Sequence, residues 1–203
     1  SLFASNFLFW KESGYFETAS ELKPLIHTWS LAIEEQFYLL FPLFLIITWK
    51  FGTKILFALL VLIFCLSLFL SHWAAFNHPN AAFFLLPTRG WELLLGCIIS
   101  CILWKSNHKK SLIKSEILSL SGFFLICFSI FYFNEFIPNP SIYNLLPTIG
   151  TALVILYAVN GTMIYSILSN KLLVKIGLLS FSVYLIHQPL IAFTKYRLES
   201  GLC

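Results

Sequence analysis

Apolar residues run along this chain in blocks of about twenty, separated by short polar stretches that carry most of the lysines. Helices of that length cross the ~30 Å hydrocarbon core of a bilayer, at a rise of ~1.5 Å per residue. Six such spans are expected, at about 30–49, 53–72, 87–104, 115–133, 146–159 and 176–193. The block at 146–159 is the shortest, with apolar flanks. Residues 1–10 are apolar but too short to span, and read as the tail of a helix whose beginning is missing. Residues 11–27 are polar and mixed in charge, hence an extramembrane loop, and 162–175 is amphipathic. Pro87 and Pro147 fall at helix starts, where a missing N–H is harmless. The expected fold is all-α: a polytopic helical transmembrane protein of about six complete spans plus an N-terminal partial helix, one membrane-embedded domain over 1–203. There is no internal repeat and no low-complexity linker.

Composition agrees. Of 203 residues, 59% are hydrophobic and 11% charged, where a soluble domain averages roughly 25% charged. Mean hydropathy is +0.85. The net charge of +4 does not point to nucleic acid, because the cations sit at the ends of apolar blocks. Lys50 and Lys54 follow the first span, Lys105, Lys109, Lys110 and Lys114 the third, and Lys171 and Lys175 the fifth. The alternate loops hold only Lys11, Lys23 and Arg89, offset by Glu12, Glu17, Glu21 and Glu135. The positive-inside rule places the lysine-rich loops, including Lys109, in the cytoplasm and His27 outside. Lys195 and Arg197 break the pattern mildly. Cys65, Cys97, Cys101 and Cys127 lie in apolar runs and Cys203 is terminal. None has zinc-ligand spacing with histidine, so no metal is expected. Ser1 opens the chain with no basic n-region, so no cleavable signal peptide is read.

Against this apolar background a few polar groups stand out. Glu34 and Glu35 lie at the head of the first span, where charge beside hydrocarbon is costly and marks a functional site by default. With a helix from Ser30, Ser30, Glu34, Phe37 and Phe41 share one face, and Glu35, Tyr38 and Pro42 the next. Pro42 deprives the Tyr38 carbonyl of its helical partner, so a kink is expected. The competing reading is structural: Thr28 or Ser30 caps the helix and the glutamates complement its dipole. Arg89 and Glu92, three apart, either neutralise each other at the interface or leave Arg89 to face an acceptor or a carboxylate such as Glu34. Ser180, Tyr184 and His187 (i, i+4, i+7) form a polar stripe on the last span, with Gln188 beside it. A lone histidine on an apolar face is more often structural than a base, but three polar groups in register suggest an aqueous cavity. The six tryptophans lie mostly at span ends, as an interfacial belt. Trp29, inside the acidic motif, could instead stack on a sugar ring. His72, His78 and His108 read as interface or surface histidines.

The segment His27-Thr-Trp-Ser-Leu-Ala-Ile-Glu-Glu-Gln-Phe-Tyr38 resembles the signature of the acyltransferase-3 family, bacterial multi-pass membrane acyltransferases that O-acetylate surface polysaccharides and peptidoglycan. Ser5-Asn-Phe-Leu-Phe-Trp10 and Ser13-Gly-Tyr-Phe16 resemble the approach to that helix. Leu86-Pro-Thr-Arg-Gly-Trp-Glu-Leu-Leu-Leu-Gly96 and Ile176-Gly-Leu-Leu-Ser-Phe-Ser-Val-Tyr-Leu-Ile-His-Gln-Pro189 resemble two later blocks, in the family's order. The resemblance implies a bacterial inner-membrane O-acyltransferase. It would move an acyl group, acetyl by preference, from acyl-CoA (acetyl-CoA) to a hydroxyl of a glycan or lipid-linked glycan such as lipopolysaccharide O-antigen. Glu34, Glu35, His27 and Arg89 are then the catalytic candidates. Trp29, Ser30, Tyr38, Glu92, Tyr184 and His187 are the substrate-binding candidates.

The family core also implies about ten helices. Its first carries a basic residue and a histidine thought to act as general base, which these residues lack. The expectation is therefore a partial domain, inactive alone, with the missing helices as a candidate separate polypeptide partner and His187 or His27 the first bases to test inside the chain. Two other readings stand beside the enzyme: a non-enzymatic permease or glycan-lipid transporter with Glu34, Arg89 and His187 along its path, and an inactive truncated remnant.

Overall fold

The computed structural model describes residues 2–12, 23–105, 111–134 and 137–199. The Ser13–Phe16 block, most of the loop expected at 11–27, Glu17, Glu21, His108, Lys109, Lys110, Glu135 and Cys203 lie outside the described residues. Among those described there are helices and no strand. After a 3-10 turn, Leu2–Ala4, come α1 (Ser5–Glu12), α2 (Thr28–Thr48), α3 (Thr53–Asn77), α4 (Pro79–Phe84), α5 (Leu86–Lys105), α6 (Leu112–Tyr132), α7 (Leu145–Tyr157), α8 (Met163–Leu168) and α9 (Lys171–Glu199). The protein is a polytopic, all-helical membrane protein.

Among the described residues, five segments are long and apolar enough to cross a bilayer: Thr28–Phe51, Thr53–Asn77, Pro79–Lys105, Leu112–Tyr132 and Lys171–Leu198. The fifth expected span, at 146–159, is present as a shorter helix. α7 has 13 residues, a length of roughly 20 Å against the ~30 Å core. α4 was not expected at all. It is a six-residue helix that starts on Pro79 and leads into α5 through the extended residue Leu85. α3 and α9 also run past their expected ends. Pro42 lies inside α2, which continues through it to Thr48.

Large exposed apolar side chains cover the outside of these helices, as lipid contact requires. The interior uses smaller groups. Leu56 and Leu60 of α3 and Leu94 of α5 form a buried cluster that Phe37, Phe41 and Phe44 of α2 pack against. Buried serines and threonines line other contacts. Ser67 of α3 donates to the Pro87 carbonyl (2.6 Å) and accepts from the Trp91 amide (3.0 Å), pinning the first turn of α5. α6 and α7 meet through Gly122 and Gly150. A Cβ on either would come within 2.6–2.7 Å of the other's carbonyl oxygen, so only glycine permits this approach. Glu116 of α6 accepts the Met163 amide (3.0 Å) at the head of α8.

α1 and α4 buttress the start of α2. Asn6, fully buried, donates to the Phe84 carbonyl (3.0 Å) and accepts from Gln36 (2.9 Å). Gln36 also donates to the Phe3 carbonyl (2.8 Å). Ser5 donates to the Thr28 carbonyl (3.0 Å). The Lys23–Glu12 ion pair (2.7 Å) ties the end of α1 to the segment that leads into α2.

Candidate functional site

The head of α2 is not capped in the way the structural reading required. The N-cap is His27, which makes no side-chain cap hydrogen bond. Thr28 points its hydroxyl the other way, donating to the Leu25 carbonyl (2.8 Å), and the Ser30 hydroxyl lies 3.3 Å from the His27 carbonyl rather than on an amide. A cap would accept from an amide instead. Glu34 and Glu35 also fall beyond the first turn, which contains no acid. The dipole's effect is confined to about that turn, so it does not explain the two carboxylates.

α9 crosses this head of α2. Tyr184 donates its hydroxyl proton to the His27 carbonyl (2.6 Å). With that proton committed, Ser30 is the donor in its 2.5 Å contact with the Tyr184 hydroxyl. His187, one turn on, places its ring centroid 5.4 Å from that of His27. The Tyr184 ring lies edge-on to His27 at 5.2 Å. Three of the expected residues, Ser30, Tyr184 and His187, thus meet His27 across two helices. The i, i+4, i+7 stripe on the last span is the signal that located them.

The tautomer of His187 follows from its partner. Its Nδ1 lies 2.6 Å from the Tyr184 carbonyl oxygen, which can only accept. Nδ1 therefore carries the proton and Nε2 keeps its lone pair. His27 is buried, and its Nδ1 has no hydrogen-bond partner among the described residues. Burial, and then the neighbouring His187, hold the His27 imidazole below its ordinary pKa, so it is neutral at neutral pH.

Beside this cluster a cleft of about 520 Å³ opens between α2 and α9, lined by Ser30, Leu31, Glu34, Ser180, Phe181 and Tyr184. Glu34 brings a carboxylate into it, and no ion pair to Glu34 occurs among the described residues. Glu35 is half-buried and outside the cleft lining, and Tyr38 is exposed on the outer surface. Ser30 and Glu34 share their face with Phe37 and Phe41, as expected, but those phenylalanines stack on each other at 5.0 Å against the α3–α5 core. Leu31, Ser180 and Phe181 were not singled out from sequence as binding residues. Only the helix crossing shows that they share the cleft.

Arg89 takes a different position. Its guanidinium lies 4.9 Å from the ring centroids of both Trp29 and Phe83 and pairs with Glu92 at 3.6 Å. Of the two pairings considered for Arg89, the structure has Glu92 and not Glu34. Trp29 also packs on Phe83 and Phe84, at centroid distances of 4.5 and 5.7 Å, and is absent from the cleft lining. Arg89 joins α2, α4 and α5 by cation–π contact with the packed Trp29–Phe83 pair. No group of three or more histidine, cysteine, aspartate or glutamate side chains suited to a metal occurs among the described residues.

Comparison with known proteins gives the family. A family described as an acyltransferase domain matches residues 1–201. The chain is 33% identical over 212 residues to the O-acetyltransferase OatA of Staphylococcus aureus, covering 98% of this chain and 35% of that protein. It is 30% identical over 202 residues to the peptidoglycan O-acetyltransferase OatA of Listeria monocytogenes, covering 91% and 32%. An uncharacterized protein of Haemophilus influenzae is 35% identical over 164 residues, covering 75% and 66%. The chain spans about a third of the length of the two named acetyltransferases. No solved structure matches it.

Proposed function

Because the chain belongs to the acyltransferase-3 family, matched over residues 1–201, we propose that it forms the membrane core of an O-acetyltransferase acting on a cell-surface glycan. The cleft between α2 and α9 holds the acceptor sugar in this reading. The observation that carries it is the convergence of Glu34, Ser30 and Tyr184 on that cleft, with the His27–His187 pair directly behind Tyr184.

The reaction joins a sugar hydroxyl to an acetyl group. The hydroxyl oxygen attacks the thioester carbonyl of acetyl-CoA, the C–S bond breaks, and the proton lost by the hydroxyl ends on the CoA thiol. Glu34 accepts a hydrogen bond from the acceptor hydroxyl and orients it. The lone pair on His187 Nε2 is the group in this chain best prepared to hold the proton in transit, since its Nδ1–H is anchored on a carbonyl. The family resemblance puts a further histidine in a helix not among these residues, and that histidine and His187 are alternative bases for the same proton. Tyr184 and Ser30 fix the crossing of α9 over α2, which sets the width of the cleft. Arg89, held by Trp29, Phe83 and Glu92, braces the same end of α2 from the other side.

The acceptor class is a glycan. The Listeria relative is named for peptidoglycan, which favours a peptidoglycan sugar over the lipopolysaccharide O-antigen suggested by sequence alone. The alternation of lysine-bearing segments supports the bacterial inner membrane, with His27 and the cleft at the outer face and the acetyl-CoA supply on the lysine side. The test is Glu34→Gln in the protein in its native membrane, with ester-linked acetate released from isolated peptidoglycan as the readout. The expected outcome is a loss of about 100-fold, the scale on which misplacing a reacting group lowers a rate, at unchanged membrane abundance. Undiminished acetate would remove Glu34 from the chemistry.

A further inference from the structure

A second cavity lies at the opposite end of α2, away from the acetylation site. It has a volume of about 770 Å³ and sits between the end of α2, the start of α3 and the end of α5. That volume is within the roughly 300–1,000 Å³ of small-molecule sites. Its inner wall is apolar: Phe41 and Leu45 from α2, Leu56 and Leu60 from α3. Its outer rim carries Lys54 and Lys105, both exposed, with Trp49 and Trp104 beside them. No carboxylate pairs with either lysine among the described residues.

The dimensions match one leaflet. From Cys97 at the inner end to Lys105 at the rim, α5 rises about 12 Å at ~1.5 Å per residue, against ~15 Å for half of a ~30 Å hydrocarbon core. Trp49 and Trp104 mark the rim as the level of the headgroups, where tryptophan concentrates. Two unpaired lysines at that level, above an apolar slot one acyl chain deep, are complementary to a single amphiphile with an anionic phosphate head. A ligand without a tail would leave the phenylalanine and leucine wall unused. A neutral head would leave both ammonium groups unpaired.

We propose that this cavity binds one anionic phospholipid of the surrounding bilayer, its phosphate on Lys54 and Lys105 and one acyl chain against Phe41, Leu45, Leu56 and Leu60. The lipid wedges α2 against α3 and α5 from the lysine side.

The test is tryptophan quenching by lipids brominated on their acyl chains. The chain is reconstituted in phosphatidylcholine vesicles containing a minority of brominated phosphatidylglycerol or, in parallel, brominated phosphatidylcholine. Trp49→Phe and Trp104→Phe variants assign the signal to the cavity. Phosphatidylglycerol should quench these two tryptophans preferentially. A lysine near an anionic headgroup contributes about fivefold in affinity, so Lys54→Gln with Lys105→Gln should lower the preference by on the order of tenfold or more, at unchanged helicity. Lys50→Gln is the control for general surface charge, since Lys50 lies close by but does not line the cavity, and it should leave the preference intact. Equal quenching by the two lipids would overturn the proposal, as would an equal loss in Lys50→Gln. Displacement by soluble glycerol phosphate would show a free phosphate site instead. Displacement by long-chain acyl-CoA, but not by unbrominated phosphatidylglycerol, would assign the cavity to a donor thioester.

Discussion

The contact between α6 and α7 and the contact between α2 and α9 join helices by opposite means. α6 and α7 press backbone against backbone. Each of Gly122 and Gly150 lies where a Cβ would strike the other's carbonyl oxygen. Such close packing is how helices associate in lipid, where apolar side chains gain nothing by leaving hydrocarbon. α9 touches α2 through polar atoms: the Tyr184 hydroxyl, the Ser30 hydroxyl and the His27 carbonyl. Most of the α9 side chains are exposed, and the half-buried ones cluster at Tyr184, His187, Gln188 and Pro189. The first contact is built to stay shut. The second holds two helices apart by the width of a cleft and leaves hydrogen-bonding groups at its edge, the arrangement an acceptor site requires.

The sharpest way to break the first contact is Gly122→Ala. Its new methyl would meet the Gly150 oxygen at 2.6 Å and the Leu153 Cβ at 2.8 Å, and a backbone carbonyl cannot swing aside as a side-chain end can. Overpacking of this kind costs about 1–3 kcal/mol, and the upper part of that range is expected. Equilibrium unfolding in mixed micelles should show the loss. The α2–α9 distance, read by paired spin labels, should not change. If both readouts move together, the two contacts are one cooperative unit and the contrast fails.

Tyr184→Phe should do the reverse. It removes the hydroxyl that ties α9 to α2 and keeps the ring that lies against His27. A hydrogen bond of this type contributes about 0.5–1.5 kcal/mol. Global stability should therefore fall less than in Gly122→Ala, while the spread of α2–α9 distances broadens. Acetylation should fall with it, because the cleft wall is no longer fixed. Unchanged distances would mean that α9 is docked by something other than this hydroxyl.

The two contacts were also unequally readable from sequence. The spans follow from hydropathy, because the bilayer imposes one length and one polarity on each. The exceptions have local causes. α4 is six residues long and bounded by Pro79 and Leu85, so it reads as a loop. α7 ends at Tyr157, two residues before its expected end. The glutamates and the Ser180–Tyr184–His187 stripe were visible as polar groups out of place. Their partners were not, because one helix's periodicity gives faces but not which face meets which neighbour. The contact of Arg89 with both Trp29 and Phe83 needs three helices placed at once. Asn6, buried between α2 and α4, looked like part of an approach segment and serves as a bracket. That no side chain caps the head of α2 needed hydroxyl directions, which residue identity does not supply.

The smallest effect expected is a pH dependence confined to the α2–α9 contact. His27 lies just outside the spanning segment, and burial, then His187, keep its pKa below the ordinary value of 6.5. A histidine with a lowered folded pKa binds fewer protons folded than unfolded. Stability from this residue is therefore complete above about pH 6.5 and is lost as pH falls through the lower folded value. Protonation would also place a cation beside His187, adding repulsion to desolvation. The α2–α9 distance distribution of the wild type should thus broaden between neutral and mildly acidic pH, while the α6–α7 contact, which has no titrating group at Gly122 or Gly150, should not respond. His27→Asn keeps a polar side chain of similar reach without the titration, and its α2–α9 distances should stay flat over the same range. A wild-type profile as flat as the variant's would show that His27 is not protonated in the folded state over that range. An equal acid response in both would place the sensitive group elsewhere, with His187 or Glu34 next to be replaced.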